Sequence, residues 1–278
     1  MNFFIPSILF TPLLTLAYIP KTATILQRLA ENNGNGAYQI EQEVSFPSES
    51  DTLILKETWI VDSDLKMRLV VQGTKDLRDQ LKWVFVYDGS RRYQNAGGNR
   101  LQKNLDENFI EKYFHLRKSE EFARIFIRLG ILDERSVEKT LYRSTKDVDY
   151  RPDPLVRLSR TNGVVTYALG RPSPEEGAPT PGAWIEQDLF LLRKLRLPAQ
   201  AEISADKYSS YSRSLSFPKV RTVKWGNHQV EIHTFSVSGR EKNPSLFNPA
   251  QIEQSTRLDL LPDGSTKNLI EDFYKRFR

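Results

Sequence analysis

From Tyr38 to Tyr93 the chain alternates apolar and polar positions, and the alternation predicts five short strands in succession. Tyr38, Ile40, Val44 and Phe46 interleave with Gln39, Glu41, Glu43 and Ser45. A period of two marks a strand with one dry and one wet face. Leu53–Val61, Leu65–Gln72, Lys82–Tyr87 and Arg91–Gln94 follow. Asp62-Ser63-Asp64 and Asp88-Gly89-Ser90 are hairpin connections, since Asp, Ser and Gly accept or cap turn geometry. The strands form an antiparallel meander. Its large apolar face carries Trp59, Val61, Leu65, Met67, Leu69, Val71, Trp83, Phe85 and Tyr87. Those rings are either core or the lining of a concave surface left open for a ligand. Gly97-Gly98-Asn99 closes the meander in this reading.

Before the meander, Thr24–Glu31 has helical spacing, with Ile25, Leu26 and Leu29 on one stripe, and Asn32–Gly36 ends it. After it, residues 106–144 switch to the helical period. Asp106 reads as an N-cap before Phe109, Ile110, Tyr113 and Phe114. Ser119 reads as another, ahead of Phe122, Ile125, Phe126 and Leu129, and Gly130 is its stop. Asp133 opens a third helix, with Val137 and Leu141 four apart. Such short helices need a surface to lie on, and the open face of the meander supplies one.

Strands resume at Leu155–Arg160 and Val164–Leu169 across an Asn162-Gly163 hairpin signal. Ala183–Leu197, Ala201–Tyr208, Arg221–Trp225 and Gln229–Val237 read as further strands, with Ser-rich 208–216 as a mobile connection. The Pro-rich stretch 171–182 is a solvent loop. Asn248-Pro249 opens a helical turn, and Thr266–Arg278 is a final helix with Leu269, Ile270, Phe273 and Phe277 on one stripe. The pattern is mainly β with α: an antiparallel meander, a helical insertion, further antiparallel strands and a C-terminal helix.

Residues 1–17 change the picture: they are uncharged and rich in Phe, Ile and Leu. They are too short to span a bilayer comfortably, and Thr15-Leu16-Ala17 is a small-residue cleavage site. A removed signal peptide and an uncleaved interfacial anchor are both open. The expected organisation is a leader at 1–17, a body at 18–245 with an insertion at 104–146, and an extension at 246–278.

Cysteine is absent, which excludes disulfides, thiolate metal sites, Cys nucleophiles and a lipidated Cys. A net charge of +5 comes from scattered Lys and Arg and reads as a solvated surface. His115, His228 and His233 are the three histidines; the latter two are five apart on a strand, so they point to opposite faces. There is no Gly-x-Ser-x-Gly elbow and no phosphate-cradling glycine loop. Glu175-Glu176 lies in the Pro-rich loop, away from any pocket that could raise a carboxylate pKa. The chain is expected to be no enzyme, with no catalytic residue, cofactor, metal or nucleic-acid partner.

The element order, together with Trp59–Leu69 and Trp83–Tyr93, resembles the LolA/LolB/RseB group of lipoprotein carriers and sensors. The similarity covers about Ile25 to Val237. Arg68 matches the group's Arg after a Lys-aromatic pair, with Met67 in place of the aromatic. Asp62-Ser63-Asp64 stands where the group often has Arg-Pro, so the residue for that lid contact is missing. The resemblance implies a fold of mainly β with α, an unclosed antiparallel β-barrel (half-barrel) with a helical lid insertion and a C-terminal helix, whose concave apolar face binds acyl chains. It makes Trp59, Met67, Leu69, Trp83, Phe85 and Tyr87 the candidate lipid-binding cavity and Arg68, Phe122 and Phe126 the lid or rim. It implies a LolA-like carrier in the periplasm of a Gram-negative-type envelope, binding acylated lipoprotein or lipid for sorting to the outer membrane and peripheral at most to a membrane. An RseB-like sensor or scaffold, with an envelope protein as partner, is the alternative.

Overall fold

The computed structural model describes residues 19–48, 52–62, 66–137, 153–173, 179–256, 261 and 264–278. The expectations for the leader, for Ser63–Leu65, for Leu141 and for Glu175-Glu176 lie outside them.

Helix α1 (Thr22–Glu31) opens the described chain. It ends before Gly34, whose φ is +71° and whose added Cβ would meet the Tyr38 hydroxyl at 2.1 Å. Six strands follow: β1 (Ala37–Pro47), β2 (Thr52–Val61), β3 (Lys66–Gly73), β4 (Lys82–Asp88), β5 (Arg91–Ala96) and β6 (Asn99–Asn104). A short 3-10 turn at Ile110–Phe114 leads to α2 (Ser119–Arg128), which packs on α1. The second half supplies β7 (Val156–Thr161), β8 (Val164–Leu169), β9 (Gly182–Glu186), β10 (Leu192–Arg196), β11 (Glu202–Ser210), β12 (Ser216–Trp225) and β13 (His228–Arg240). β14 (Gln254–Ser255) and helix α3 (Ser265–Phe277) end the chain.

All the strands belong to one sheet, in the order β14-β5-β4-β3-β2-β1-β13-β12-β11-β10-β9-β8-β7, with β6 on β5. Pairing is antiparallel except between β14 and β5. β1 joins the two halves, pairing with β2 on one side and β13 on the other, as Ile40↔Trp59 and Ile40↔Val237 show. The sheet does not close; it curves around a core to which α1, α2 and α3 all contribute. This is the half-barrel that the resemblance implied, built on the meander that the alternation predicted.

Local differences have physical causes. Gly97-Gly98 does not end the meander but forms a two-residue turn, φ +59° and +83°, into β6. Two successive positive φ values make the turn that matches strand twist. Asp106 caps no α-helix: its carboxylate accepts from Asn108 N at 2.8 Å, and one 3-10 turn follows. Lys118 rather than Ser119 occupies the N-cap position of α2. Asp133 precedes a 3-10 turn, Glu134–Ser136, instead of an α-helix over the described positions. Ala183–Leu197 is two strands, β9 and β10, because the chain reverses through 187–191 with Phe190 at φ +54°. The Ser-rich stretch is ordered as the β11–β12 hairpin, turning on Arg213 and Ser214, both left-handed. Its Ser210↔Ser216 pairing starts β12 five residues earlier than the apolar pattern of Arg221–Trp225 suggested.

Candidate functional site

The pleat brings the six cavity candidates together on the concave face. Register places Trp59 opposite Leu69, Leu69 opposite Phe85, and Met67 opposite Tyr87. Trp83 lies two residues from Phe85 on the same parity of β4. All six are buried.

What covers them comes from the chain's own later segments. The Tyr274 ring meets Trp83 edge-on at 5.2 Å and stacks over Phe85 at 6.4 Å. Phe273 meets Phe46 at 5.4 Å. Phe109, just before the 3-10 turn, stacks on Tyr87 at 4.8 Å and leans on Trp59 at 6.4 Å. Leu269, Ile270, Phe273 and Phe277 form the buried stripe of α3, as the sequence indicates, and Tyr274 extends it. Helix α3 is further tied to the barrel wall. Asp272 accepts from Trp225 Nε1 at 2.7 Å, and Arg92 donates to the carbonyls of Tyr274 and Arg278 at 2.7 and 2.6 Å.

Beneath these rings sits a closed ring of polar and charged side chains that the sequence reading missed. Arg278 Nε and Nη2 donate to the two oxygens of Glu57 at 3.0 and 3.1 Å. Arg278 Nη1 lies 3.4 Å from Glu111. Arg221 Nη1 reaches both Glu111 oxygens at 3.0 Å, and its Nη2 donates to Gln42 Oε1 at 2.6 Å. Gln42 Nε2 returns to Glu57 at 2.6 Å, and Trp59 Nε1 donates to the same carboxylate at 3.0 Å. His115 adds a contact of 3.4 Å to Glu111. Each of these side chains is buried. The guanidiniums are sandwiched on π-faces: Arg278 over Phe273 at 4.9 Å and Trp59 at 5.5 Å, Arg221 over Phe114 and Phe217, each at 5.0 Å. Two carboxylates balance two guanidiniums.

The electrostatics follow from that count. Burial opposes ionisation of Glu111, but Arg221, His115 and Arg278 outweigh it and hold the carboxyl well below its usual range. Burial likewise opposes the Arg278 charge, and Glu57 and Glu111 overcome it. Burial pushes the His115 imidazole down against the pull of Glu111, which keeps it neutral. Burial pushes the Tyr87 and Tyr274 hydroxyls up, so both stay protonated.

A signal for this ring does exist in the chain. Gln42 falls on the inward parity of β1 between Ile40 and Val44. Glu57 does the same between Leu55 and Trp59, and Arg221 sits in line with Phe217, Val223 and Trp225. Polar residues at core positions are costly unless they are paired, so each announces a partner.

The rim candidates separate. Phe122 and Phe126 are buried on α2 and touch edge-to-face at 5.7 Å. Arg68 lies on the opposite, convex face. There it pairs with Glu253 at 2.9 Å and donates to the Leu246 carbonyl, beside a second apolar cluster of Val84, Val86, Phe247 and Ile252. The pleat explains this: Arg68 stands between the inward Met67 and Leu69 and must point out. It therefore fastens the C-terminal segment to the outside and does not border the concave face. Among the described residues no cluster of three or more His, Asp or Glu could hold a metal ion, and no helix is long and apolar enough to cross a membrane.

No protein-family model and no curated protein matches the chain. Solved structures do. A LolA superfamily protein from Nitrosomonas europaea superposes with a TM-score of 0.51 at 9% identity, over 83% of this chain and 98% of that one. A DUF1329 family protein from Desulfovibrio piger gives a TM-score of 0.51 at 10% identity, over 84% and 98%. A Vibrio parahaemolyticus domain named for outer-membrane lipoprotein sorting gives 0.48 at 12% identity, over 82% and 96%. The chain shares the fold of the Nitrosomonas europaea and Desulfovibrio piger structures.

Proposed function

We propose that the chain is a LolA-like carrier of the periplasm, which shelters acyl chains of a lipoprotein or lipid in the place now held by α3. One observation carries the reading. Within the apolar face of Trp59, Met67, Leu69, Trp83, Phe85 and Tyr87, the Trp83 and Phe85 rings are covered by Tyr274 of helix α3, while Phe109 lies on Trp59 and Tyr87. Such a cover can leave without breaking a strand pairing.

The magnitudes permit exchange. Each buried methylene contributes about 0.8 kcal/mol, so a chain of about twelve contributes on the order of 10 kcal/mol. The α3 residues Leu269, Ile270, Phe273 and Phe277 contribute about 1.5–3 kcal/mol each by burial, a sum of the same order. An acyl chain and α3 are therefore matched competitors for one surface. No bond is made or broken, and the side chains named act only by shape, burial and charge.

The test is native mass spectrometry of the full chain mixed with a triacylated, lysine-bearing lipopeptide and with its unacylated twin. The carrier reading requires a one-to-one complex with the acylated peptide alone. Equal retention of both peptides, or of neither, defeats it.

A second reading has its own support. The concave face is covered and the C-terminal segment is fastened on the convex side through Glu253, which suits an RseB-like sensor or scaffold whose outer surface meets an envelope protein. A stoichiometric protein partner retained without acyl chains would favour it.

A further inference from the structure

We propose that the ligand which takes the place of α3 is a cation-headed amphiphile, its positive group seated between Glu57 and Glu111 where the Arg278 guanidinium now sits. The proposal rests on the carrier reading and adds the chemistry of the head group.

The argument is one of charge and geometry. Two carboxylates, those of Glu57 and Glu111, lie in the floor of the trough. Arg221 is committed to both oxygens of Glu111 and to Gln42. Gln42 Nε2 and Trp59 Nε1, which also donate to Glu57, are neutral. Arg278 is the cation that serves Glu57, with two parallel bonds at 3.0 and 3.1 Å. It is carried by α3 and leaves when α3 leaves. A neutral or anionic chain entering behind it would strand a buried carboxylate charge, which burial penalises heavily.

A chain ending in an ammonium or guanidinium restores the balance of two charges against two. The remaining features suit the same ligand. Trp59 and Phe273 offer π-faces to the present cation, at 5.5 and 4.9 Å, and the Trp59 face remains when α3 departs. The apolar wall of Trp83, Phe85 and Leu69 begins beside the carboxylates and continues along β3 and β4, so head and tail sites are contiguous. Trp83 Nε1 and the Tyr87 hydroxyl are buried polar atoms without a hydrogen-bond partner along that wall, ready for a polar linker between head and chain.

The experiment uses the full chain with dodecylamine, dodecanol and dodecanoate at equal concentrations below micelle formation. Affinity is read by tryptophan fluorescence and α3 release by hydrogen-exchange mass spectrometry over 269–277. The amine is expected to bind at least tenfold more tightly than the alcohol and to accelerate exchange in α3. Glu57→Gln should narrow the amine's advantage to about threefold or less, and Phe273→Ala, which loosens α3, should strengthen amine binding. Equal binding of alcohol and amine overturns the head-group proposal and leaves the carrier reading standing. Tightest binding by dodecanoate, or amine binding with unchanged α3 exchange, also overturns it. Absence of binding by all three to both the native chain and a Phe273→Ala variant that still melts cooperatively overturns both.

Discussion

Replacing Arg278 by Met keeps the length and apolar stem of the side chain while removing its charge. The native ring sums to zero, with Glu57 and Glu111 against Arg221 and Arg278. The substitution removes the hydrogen bonds at 3.0 and 3.1 Å and the 3.4 Å contact to Glu111, leaving one net negative charge in the core. Breaking a buried pair by taking one partner costs about 3–5 kcal/mol. Part of the guanidinium's packing on Phe273 and Trp59 goes with it. Adding Glu57→Gln returns the ring to neutrality, and the Gln can still accept from Gln42 and Trp59. The double variant should therefore recover about 1–3 kcal/mol relative to Arg278→Met alone. Urea unfolding at pH 7, followed by tryptophan emission, measures both. An Arg278→Met midpoint within about 1 kcal/mol of the native protein, or a double variant no more stable than the single one, would refute the charge-ring argument.

Three further outcomes follow from the same contacts. Phe273→Ala should destabilise by about 3–5 kcal/mol, since the ring is fully buried against Phe46, Trp225 and Tyr274; calorimetry would show it, and a cost under about 1 kcal/mol would mean that α3 is only loosely seated. Arg68→Ala should cost only about 1 kcal/mol or less, because its partner Glu253 is half exposed on the convex face and keeps Lys82; a loss as large as that of Arg278→Met would contradict the placement. Stability should fall as pH drops below the ordinary histidine range. His115 is held neutral when folded and takes a proton when unfolded, so the unfolded state binds more protons there. Glu111, depressed when folded, adds the same sign below the usual carboxylate range. His115→Asn should flatten the first part of that slope, by up to about 1.4 kcal/mol per pH unit, and an unchanged slope in denaturation from pH 7 to 5 would argue against it.

The meander was legible because strands with one dry face write their period into the chain, and its place in a half-barrel came from the resemblance. Tyr38–Phe46 and Trp83–Tyr87 show it plainly, and β1 and β4 lie where the pattern put them. Turn chemistry was legible at Asn162-Gly163. It was equally present at Gly97-Gly98, where β6 went unseen because Asn99–Asn104 is exposed throughout and shows no apolar alternation. The Ser-rich hairpin hid because residues 208–214 are half-buried or exposed and show no apolar alternation, although Leu215 beyond them is buried.

The charge ring was half legible. Gln42, Glu57 and Arg221 break the apolar parity of their strands, which says that each is buried and paired but not with what. The answer lies 221 residues away for Glu57, beyond any periodicity. Arg278 itself completes the α3 stripe, four residues after Tyr274, where a terminal Arg ordinarily reads as a solvated end. The cover was half readable: the insertion offered by the sequence does supply Phe109 over Trp59 and Tyr87, whereas nothing in the chain's pattern assigned α3 to Trp83 and Phe85.

Bromine quenching shows directly whether acyl chains lie where α3 now lies. The full chain would be prepared in versions retaining a single tryptophan each and titrated with a lipopeptide whose acyl chains carry bromine. Trp59 and Trp83 line the trough, whereas Trp184 lies under Lys194 and Arg196, at 5.1 and 5.2 Å, outside the apolar core cluster. Strong quenching of Trp59 and Trp83 is expected, with Trp184 unaffected. Quenching of Trp184 alone, or equal quenching of all three, would place the chain elsewhere and contradict that placement.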